Sequence, residues 1–317
     1  MLVTKGGRTV LTWASVLLFA GTTAVYGEPP TAIQVKVDTH LSASGTTTLK
    51  DCNKEVPVDL KGRRVVLHMY LPDAAPETAP MVFYSSGSGG WHRFDQHIAT
   101  VFAERGMPFF GISTHTYLKT FYSDNRPATF PEVASDYAEL IRQARTLTSV
   151  GDSRPIILAG WSLGAGYAPL IAADPRIRTN LSGIISISLS RNNETALTLS
   201  HRLMSRLTGR TFGPSFDVFD YLSRLAPLPV AIIQAANDRT ASPRQAEQLI
   251  SSMGREGRLR LFEVAGGRTH SFSGGREEFD RTLEKAVDWI RGNAPEPLTG
   301  ECSPTHKQSL AVLNKQS

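Results

Sequence analysis

The stretch 156–166 (IILAGWSLGAG) constrains the fold of this chain more than any other. An apolar run enters the pentapeptide GWSLG at 160–164, a G-x-S-x-G pattern, and small residues follow it. The pattern is typical of a nucleophile elbow, in which a strand turns sharply into a helix and presents a serine, here Ser162, above the sheet edge. The alternative is an ordinary strand–turn–helix corner with an incidental serine. The rest of the chain must therefore supply the partners that a reactive serine needs.

A glycine-dense loop, SSGSGGW at 85–91, follows the short predicted strand 81–84. It lacks the Lys-Ser/Thr of a P-loop and the G-x-G-x-x-G of a dinucleotide site. Its position before the elbow fits the second half of an oxyanion hole. There the backbone N–H of Ser88 or Gly87 would pair with that of Leu163, which lies at the predicted helix N-terminus; we favour Ser88. A plain flexible turn is the alternative.

A reactive serine also needs a base held by an acid, and in this architecture the acid and then the histidine follow the serine in the sequence. His270 follows the last predicted strand in a glycine-bearing loop, and Asp238 comes three residues after a strongly apolar strand. We expect both beside Ser162. His115 leaves a strand at the same edge but precedes Ser162.

Other interpretations of these residues remain open. His270 is alternatively a surface-loop histidine, and Asp238 a cap for the helix that follows it. Asp217 and Asp220 are the other candidate acids, disfavoured because they lie in an insertion.

Predicted strands alternate with predicted helices, which indicates a mostly parallel, twisted sheet covered by helices on both faces. The predicted strands are 64–71, 81–84, 108–112, 156–161, 183–189, 230–235 and 259–264, with 33–37 as a candidate edge strand. Residues 113–121 are expected to emerge beside the predicted site. An insertion at 191–228, after the sixth strand, is a candidate lid; a solvated helical face is the alternative.

The N-terminus has the layout of a secretory signal peptide, 1–27: Lys5 and Arg8 precede a short apolar run, and small residues follow it. Cleavage is expected after Ala24 or Gly27, and an uncleaved membrane anchor is the alternative. We therefore expect a periplasmic or secreted protein.

The domain organisation predicted from the sequence is a mature domain at 28–300 and a polar tail at 301–317. Removing 1–27 takes away two basic residues and no acid, so the net charge falls from +5 to +3. Such a charge favours peripheral contact with an anionic membrane surface and is too small to indicate nucleic-acid binding. Cys52 and Cys302 are candidates for a disulfide in an oxidising compartment, with two unpaired thiols as the alternative. Neither has metal-type spacing, and no metal is predicted.

Three segments resemble the VirJ/AcvB group of bacterial virulence-associated α/β-hydrolases: 84–91, Tyr117-Leu118 and 160–165. The likeness covers roughly residues 64–292. It implies a periplasmic serine hydrolase that acts on aminoacylated phosphatidylglycerol and releases lysine or a similar amino acid. Two positions, Ser88 and Gly166, carry residues where that group usually has Asp.

The aromatic residues of these segments are expected to contact the substrate; they are Trp91, Tyr117 and Trp161.

The leading hypothesis is an exported serine esterase, free of metal and cofactor, which acts through an acyl-enzyme at Ser162 on a small-molecule or lipid ester. An esterase, lipase or dienelactone-hydrolase-like enzyme on other esters is a second possibility. A third is a non-catalytic exported binding or secretion-accessory protein on the same fold.

Overall fold

The structure is a computed structural model that describes residues 53–121, 126–148, 151, 153–195, 214–253 and 258–295. All of these lie in one compact unit, Thr46–Ser317. Several sequence predictions fall outside the described residues: the signal peptide 1–27, the strand 33–37, the Cys52–Cys302 pair and the tail 301–317.

Ten strands form within the described residues: β1 Asn53–Leu60, β2 Arg63–Tyr70, β3 Met81–Ser85, β4 Phe109–Ile112, β5 Ile156–Trp161, β6 Leu181–Ile187, β7 Asn192–Glu194, β8 Ser215–Asp217, β9 Val230–Ala235 and β10 Leu259–Val264. The helices described are α1 Arg93–Glu104, α2 Thr114–Lys119, α3 Phe130–Thr148, α4 Leu163–Ala172, α5 Pro175–Arg178, α6 Val218–Leu222, α7 Pro243–Ser252 and α8 Arg276–Asn293.

Eight strands build the central sheet in the order β1-β2-β4-β3-β5-β6-β9-β10. β2 runs antiparallel to β1 and β4, and the other neighbouring strands pair in parallel. The predicted mostly parallel sheet is confirmed. Because the parallel strands end at one edge, the loops that follow β3, β5, β6, β9 and β10 emerge together there.

Helices cover both faces of the sheet, which explains why the central strands have continuous apolar sequences. In β3, Met81 and Phe83 belong to an apolar cluster shared with α3 and α4. Val82 and Tyr84, on the other face, belong to a second cluster shared with α1 and α8. Successive side chains of a strand point to opposite faces, so each one packs beneath a different helix layer. The sheet is therefore packed against an apolar cluster on each face.

The structure adds or changes three elements relative to the sequence prediction. Strand β1 was not predicted, although Val56 and Leu60 alternate with polar residues; its Pro57 is tolerated because β1 is an edge strand. Residues 113–121, predicted to emerge beside the site, fold into the short helix α2. The described part of the 191–228 insertion forms α6 and the strands β7 and β8, which pair in antiparallel fashion. Its role as a lid stays a prediction.

Within the described residues, no helix is both long enough and apolar enough to cross a bilayer.

Candidate active site

Ser162 occupies a sharp turn between β5 and α4, with φ 56° and ψ −113°. A non-glycine residue in this region of the backbone map is strained, and such strain persists only where the surroundings enforce it. The surroundings here are two close backbone approaches. A Cβ on Gly160 would lie 2.2 Å from the Gly164 carbonyl oxygen, and one on Gly164 would lie 2.1 Å from that of Ser85. Both glycines of the G-x-S-x-G pattern are therefore required by packing.

His270 lies in the loop after β10 and reaches Ser162 across the sheet edge. Its Nε2 is 2.8 Å from Ser162 Oγ, and its Nδ1 is 2.6 Å from Asp238 Oδ2. The histidine side chain is 26% exposed and the aspartate side chain 1%. The structure thus brings together all three residues that the sequence selected, in one hydrogen-bonded chain whose serine end lies at the sheet edge.

Asp238 is held by its own backbone as well as by the histidine. Its Oδ1 accepts hydrogen bonds from the N–H groups of Thr240, at 2.8 Å, and Ala241, at 3.1 Å. Burial by itself would raise the pKa of Asp238, but the hydrogen bonds from His270 and from these two N–H groups outweigh it and lower the pKa. The carboxylate therefore stays ionised and accepts the Nδ1–H of His270, which leaves Nε2 free to accept the proton of the serine hydroxyl.

The glycine loop lies directly against this chain of groups. A Cβ on Gly87 would lie 2.9 Å from the Trp161 ring and 3.5 Å from Ser162 Cβ. The N–H of Leu163 belongs to the first turn of α4, where backbone donors have no partner within the helix. The backbone of 87–88 and the first turn of α4 therefore border Ser162 from two sides. Donation by Gly87 or Ser88, together with Leu163, to an oxyanion stays a prediction.

His115, the competing histidine, has a different role. Its Nδ1 lies 3.0 Å from the Ser88 carbonyl oxygen, so it donates to the glycine loop. Thr114, its neighbour, also binds the loop, through Oγ1 to the Ser86 carbonyl at 2.7 Å. The start of α2 therefore holds the glycine loop through two of its carbonyl oxygens, those of Ser86 and Ser88.

A buried carboxylate that the sequence analysis missed, Asp95, anchors the other end of the loop. Its oxygens accept hydrogen bonds from the Tyr84 hydroxyl and the His92 N–H, both at 2.8 Å. Burial raises the pKa of Asp95 to about 6, against the opposing effect of these two hydrogen bonds. The His92 N–H is a local partner, three residues before Asp95 in the turn that caps α1, whereas the Tyr84 hydroxyl reaches the carboxylate only through the fold.

Tyr117, predicted to contact the substrate, does not reach the site. Its side chain is 0% exposed, and its hydroxyl donates to Asp136 at 3.0 Å. That carboxylate also binds Arg63 at 2.5 Å. The structure does not bring Tyr117 to the sheet edge, because α2 turns the ring into the core.

The two tryptophans predicted to contact substrate are half-buried beside the site. Trp161 points its Nε1 at the His270 carbonyl oxygen, 2.9 Å away. Trp91 stacks on His68, with ring centroids 4.0 Å apart, and lines a cavity of about 350 Å³ together with Glu55 and Gly90. Contact of either ring with substrate stays a prediction.

Several other candidates have structural roles. Asp217 caps α6 through the Phe219 N–H and pairs with Arg191 at 2.7 Å. At Gly166 a Cβ would lie 2.1 Å from Asn193 Nδ2, so a larger side chain there would have to displace the Asn193 amide. In the described part of the chain, no three His, Cys, Asp or Glu side chains are grouped to hold a metal ion.

A family model described as bacterial virulence protein (VirJ) matches residues 79–262, more than half of the 317 residues. The chain belongs to the VirJ family. The matched region of this VirJ-family protein includes the glycine loop, Ser162 and Asp238, and it ends before His270. No curated protein sequence matches the chain.

Solved α/β-hydrolase structures resemble the fold of this VirJ-family protein. Est1E from Butyrivibrio proteoclasticus is 14% identical, with a TM-score of 0.52 over 74% of this chain and 98% of its own. A monoglyceride lipase from Saccharomyces cerevisiae is 11% identical, with a TM-score of 0.51 over 80% and 100%. Dienelactone hydrolase from Anabaena variabilis is 15% identical, with a TM-score of 0.51 over 77% and 100%. At these identities the likeness shows the α/β-hydrolase fold.

Proposed function

We propose that this protein is a serine hydrolase that cleaves carboxylic esters through an acyl-enzyme at Ser162. The observation that carries the proposal is the hydrogen-bonded chain from Ser162 Oγ through His270 to Asp238, at 2.8 Å and 2.6 Å. Serine hydroxyls are weak nucleophiles, and this arrangement supplies both the base and the group that orients it.

In the proposed reaction, Ser162 Oγ attacks the ester carbonyl while His270 Nε2 takes its proton. Asp238 stabilises the imidazolium and keeps the ring in the tautomer that accepts at Nε2. The imidazolium then protonates the leaving alcohol as the acyl-enzyme forms. Water, deprotonated by the same Nε2, attacks the acyl-enzyme, and Ser162 recovers its proton when the acid leaves.

The negative charge that develops on the carbonyl oxygen needs preorganised donors. We assign this role to the N–H of Leu163 and to an N–H of the glycine loop, that of Ser88 or Gly87. Both segments border Ser162, and the helix N-terminus adds a favourable dipole.

For the substrate we propose an aminoacylated phosphatidylglycerol, with hydrolysis of the ester that joins the amino acid to the lipid headgroup. Membership of the VirJ family and the signal-like N-terminus support this choice. The fold neighbours include a monoglyceride lipase, and Est1E has been solved with ferulic acid bound, so esters of other acids or alcohols form the alternative. The proposed location is the periplasm or the exterior of the cell, where the protein would contact anionic lipid.

The reaction class is tested by assaying hydrolysis of short-chain p-nitrophenyl esters with the purified domain and with its Ser162→Ala variant. We expect turnover by the wild type alone, with an initial burst if deacylation is slow. Equal turnover by both proteins would refute the role of Ser162.

The substrate is tested with liposomes of phosphatidylglycerol that contain lysyl-phosphatidylglycerol, with released lysine as the readout and Ser162→Ala as the control. Release by the wild type alone supports the proposal. Ester turnover without lysine release would move the substrate to another ester, and inactivity on both would favour a non-catalytic binding protein.

A further inference from the structure

The backbone carbonyl oxygen of His270 accepts two hydrogen bonds that the proposed reaction does not use. Trp161 Nε1 donates one and Ser188 Oγ donates the other, each at 2.9 Å. A carbonyl oxygen has two lone pairs, so both are occupied. We call these two donors and their shared acceptor the carbonyl clamp.

The carbonyl clamp holds a loop that must cross the ends of two strands to reach Ser162. The His270 loop leaves β10, whereas Ser162 follows β5, and the strands β6 and β9 lie between them. The loop must therefore run across two strand ends before the imidazole reaches the nucleophile. The two clamp donors lie at the strand ends that the loop reaches after it has passed β9. Ser188 follows β6, and Trp161 is the last residue of β5.

Both donors are tied to the nucleophile through the backbone. Trp161 directly precedes Ser162 in the chain. The N–H of Ser162 donates to the Ile187 carbonyl at 2.9 Å, and Ile187 directly precedes Ser188. A shift of the elbow would move both donors with it, so the clamp fixes the His270 backbone relative to Ser162 itself.

The local geometry of Ser188 indicates a specific role for its hydroxyl. The residue is 0% exposed and has φ 54°, in the left-handed region that serine rarely adopts. Its N–H is held by the Ile233 carbonyl at 2.8 Å, so the backbone cannot rotate freely. Trp161 is likewise fixed, because its ring packs edge-on against Phe94 at 5.0 Å and lies against Gly87.

We propose that Trp161 and Ser188 are positioning residues that hold the His270 backbone, so that Nε2 stays within hydrogen-bond reach of Ser162 Oγ. The inference rests on the proposed serine-hydrolase function. Neither residue touches the reacting atoms in this role. The two bonds to Asp238 and Ser162 set the rotation of the imidazole, and the clamp sets the position from which it rotates. Displacing a catalytic group by about 1 Å costs up to roughly 100-fold in rate.

The clamp is tested with Trp161→Phe, Ser188→Ala and the double variant, assayed on a p-nitrophenyl ester. We expect each single variant to lose roughly 5- to 10-fold in kcat with little change in KM, because a misplaced base slows chemistry and Trp161→Phe keeps an aromatic ring where contact with substrate is predicted. Because the donors share one acceptor, each partly compensates for loss of the other. The double variant should therefore lose more than the product of the single losses.

Matched controls are Trp289→Phe and Ser252→Ala. Trp289 packs on Phe262 away from the site, and Ser252 Oγ donates to the Leu249 carbonyl, so the same chemical groups are removed elsewhere. Both controls should keep the wild-type kcat. Ser188→Gly, which tolerates the positive φ, removes the hydroxyl without strain and should match Ser188→Ala.

A second readout does not depend on turnover. The Nδ1 proton shared by His270 and Asp238 is expected to give a downfield proton NMR signal that Asp238→Asn removes. In the double clamp variant this signal should broaden or disappear, and in both controls it should persist. An unchanged signal and kcat in the double variant would overturn the clamp. If the wild type hydrolyses no ester while the signal responds as expected, the proposed function fails and the positioning role stands.

Discussion

Two buried aspartates, Asp238 and Asp136, have almost the same exposure and very different surroundings. The Asp238 carboxylate binds the imidazole of His270, which is 26% exposed and connects it to the nucleophile. The Asp136 carboxylate binds Arg63 and Tyr117 within the core. Imidazole exchanges a proton near neutral pH, whereas guanidinium does not. The partner of the carboxylate therefore decides whether a polar cluster is suited to proton transfer or only holds elements together.

A third buried carboxylate, Asp95, extends the comparison. The two groups that donate hydrogen bonds to it, the Tyr84 hydroxyl and the His92 backbone N–H, are both uncharged. Burial then dominates, and the pKa of Asp95 is raised to about 6, whereas that of Asp238 is lowered. We therefore expect substitutions in the three clusters to differ in their effects on kcat, on the free energy of unfolding and on the pH dependence of stability.

The largest effect is expected for Asp238→Asn. The amide no longer selects the tautomer of His270 that accepts at Nε2, so kcat should fall about 10⁴-fold. The free energy of unfolding should change little, because the amide oxygen still accepts the N–H groups of Thr240 and Ala241. Ester turnover and urea unfolding measure the two quantities. A strong loss of stability with retained kcat would invert the comparison.

Asp136→Asn should show the opposite pattern. It leaves the Arg63 guanidinium, whose side chain is 16% exposed, without its carboxylate, and this should lower the free energy of unfolding by about 3–5 kcal/mol. The kcat of the folded fraction should stay close to that of the wild type. As a control, Asp136→Leu combined with Arg63→Met should cost less than Asp136→Asn, since no guanidinium is left without its carboxylate and the other cation beside Asp136, Lys61, is 61% exposed.

The pH dependence of stability should distinguish Asp95, whose pKa is raised, from Asp238, whose pKa is lowered. Its pKa is raised from 3.8 to about 6 in the folded protein, so between these values the folded state binds more protons than the unfolded state. Relative to Asp95→Asn, the wild type should therefore lose stability as pH rises from about 4 to about 6, by roughly 2–3 kcal/mol, and then level off. Urea unfolding of both proteins at several pH values gives the difference. A difference that grows as the pH falls would contradict the assignment.

The smallest effect is expected for Tyr117→Phe. Loss of the hydrogen bond to Asp136 should lower the free energy of unfolding by about 1–2 kcal/mol, with kcat and KM unchanged. An increase in KM alone would instead support the contact between Tyr117 and substrate that was predicted from the sequence, although the ring is buried in the structure.

The sequence predicted the parts of the site that short segments encode. The elbow is a local sequence pattern, but only Gly160 is required by an approach within a few residues; Gly164 is required by its approach to Ser85 in the glycine loop. Asp238 and His270 were selected by their positions at strand ends. The orientations of Tyr117 and Trp161 were not predictable, because they depend on how α2 and the His270 loop pack. Ser188 gave no signal, since positive φ is usually marked by Gly or Asn.

The proposed mechanism requires that Ser162 be an activated nucleophile. The most direct test is reaction of the purified protein with a fluorophosphonate probe, followed by peptide mass spectrometry to locate the adduct. We expect one adduct, on Ser162, which is absent in Ser162→Ala and forms far more slowly in Asp238→Asn. Labelling that persists at the wild-type rate in Ser162→Ala, or a wild-type protein that does not react, would contradict it.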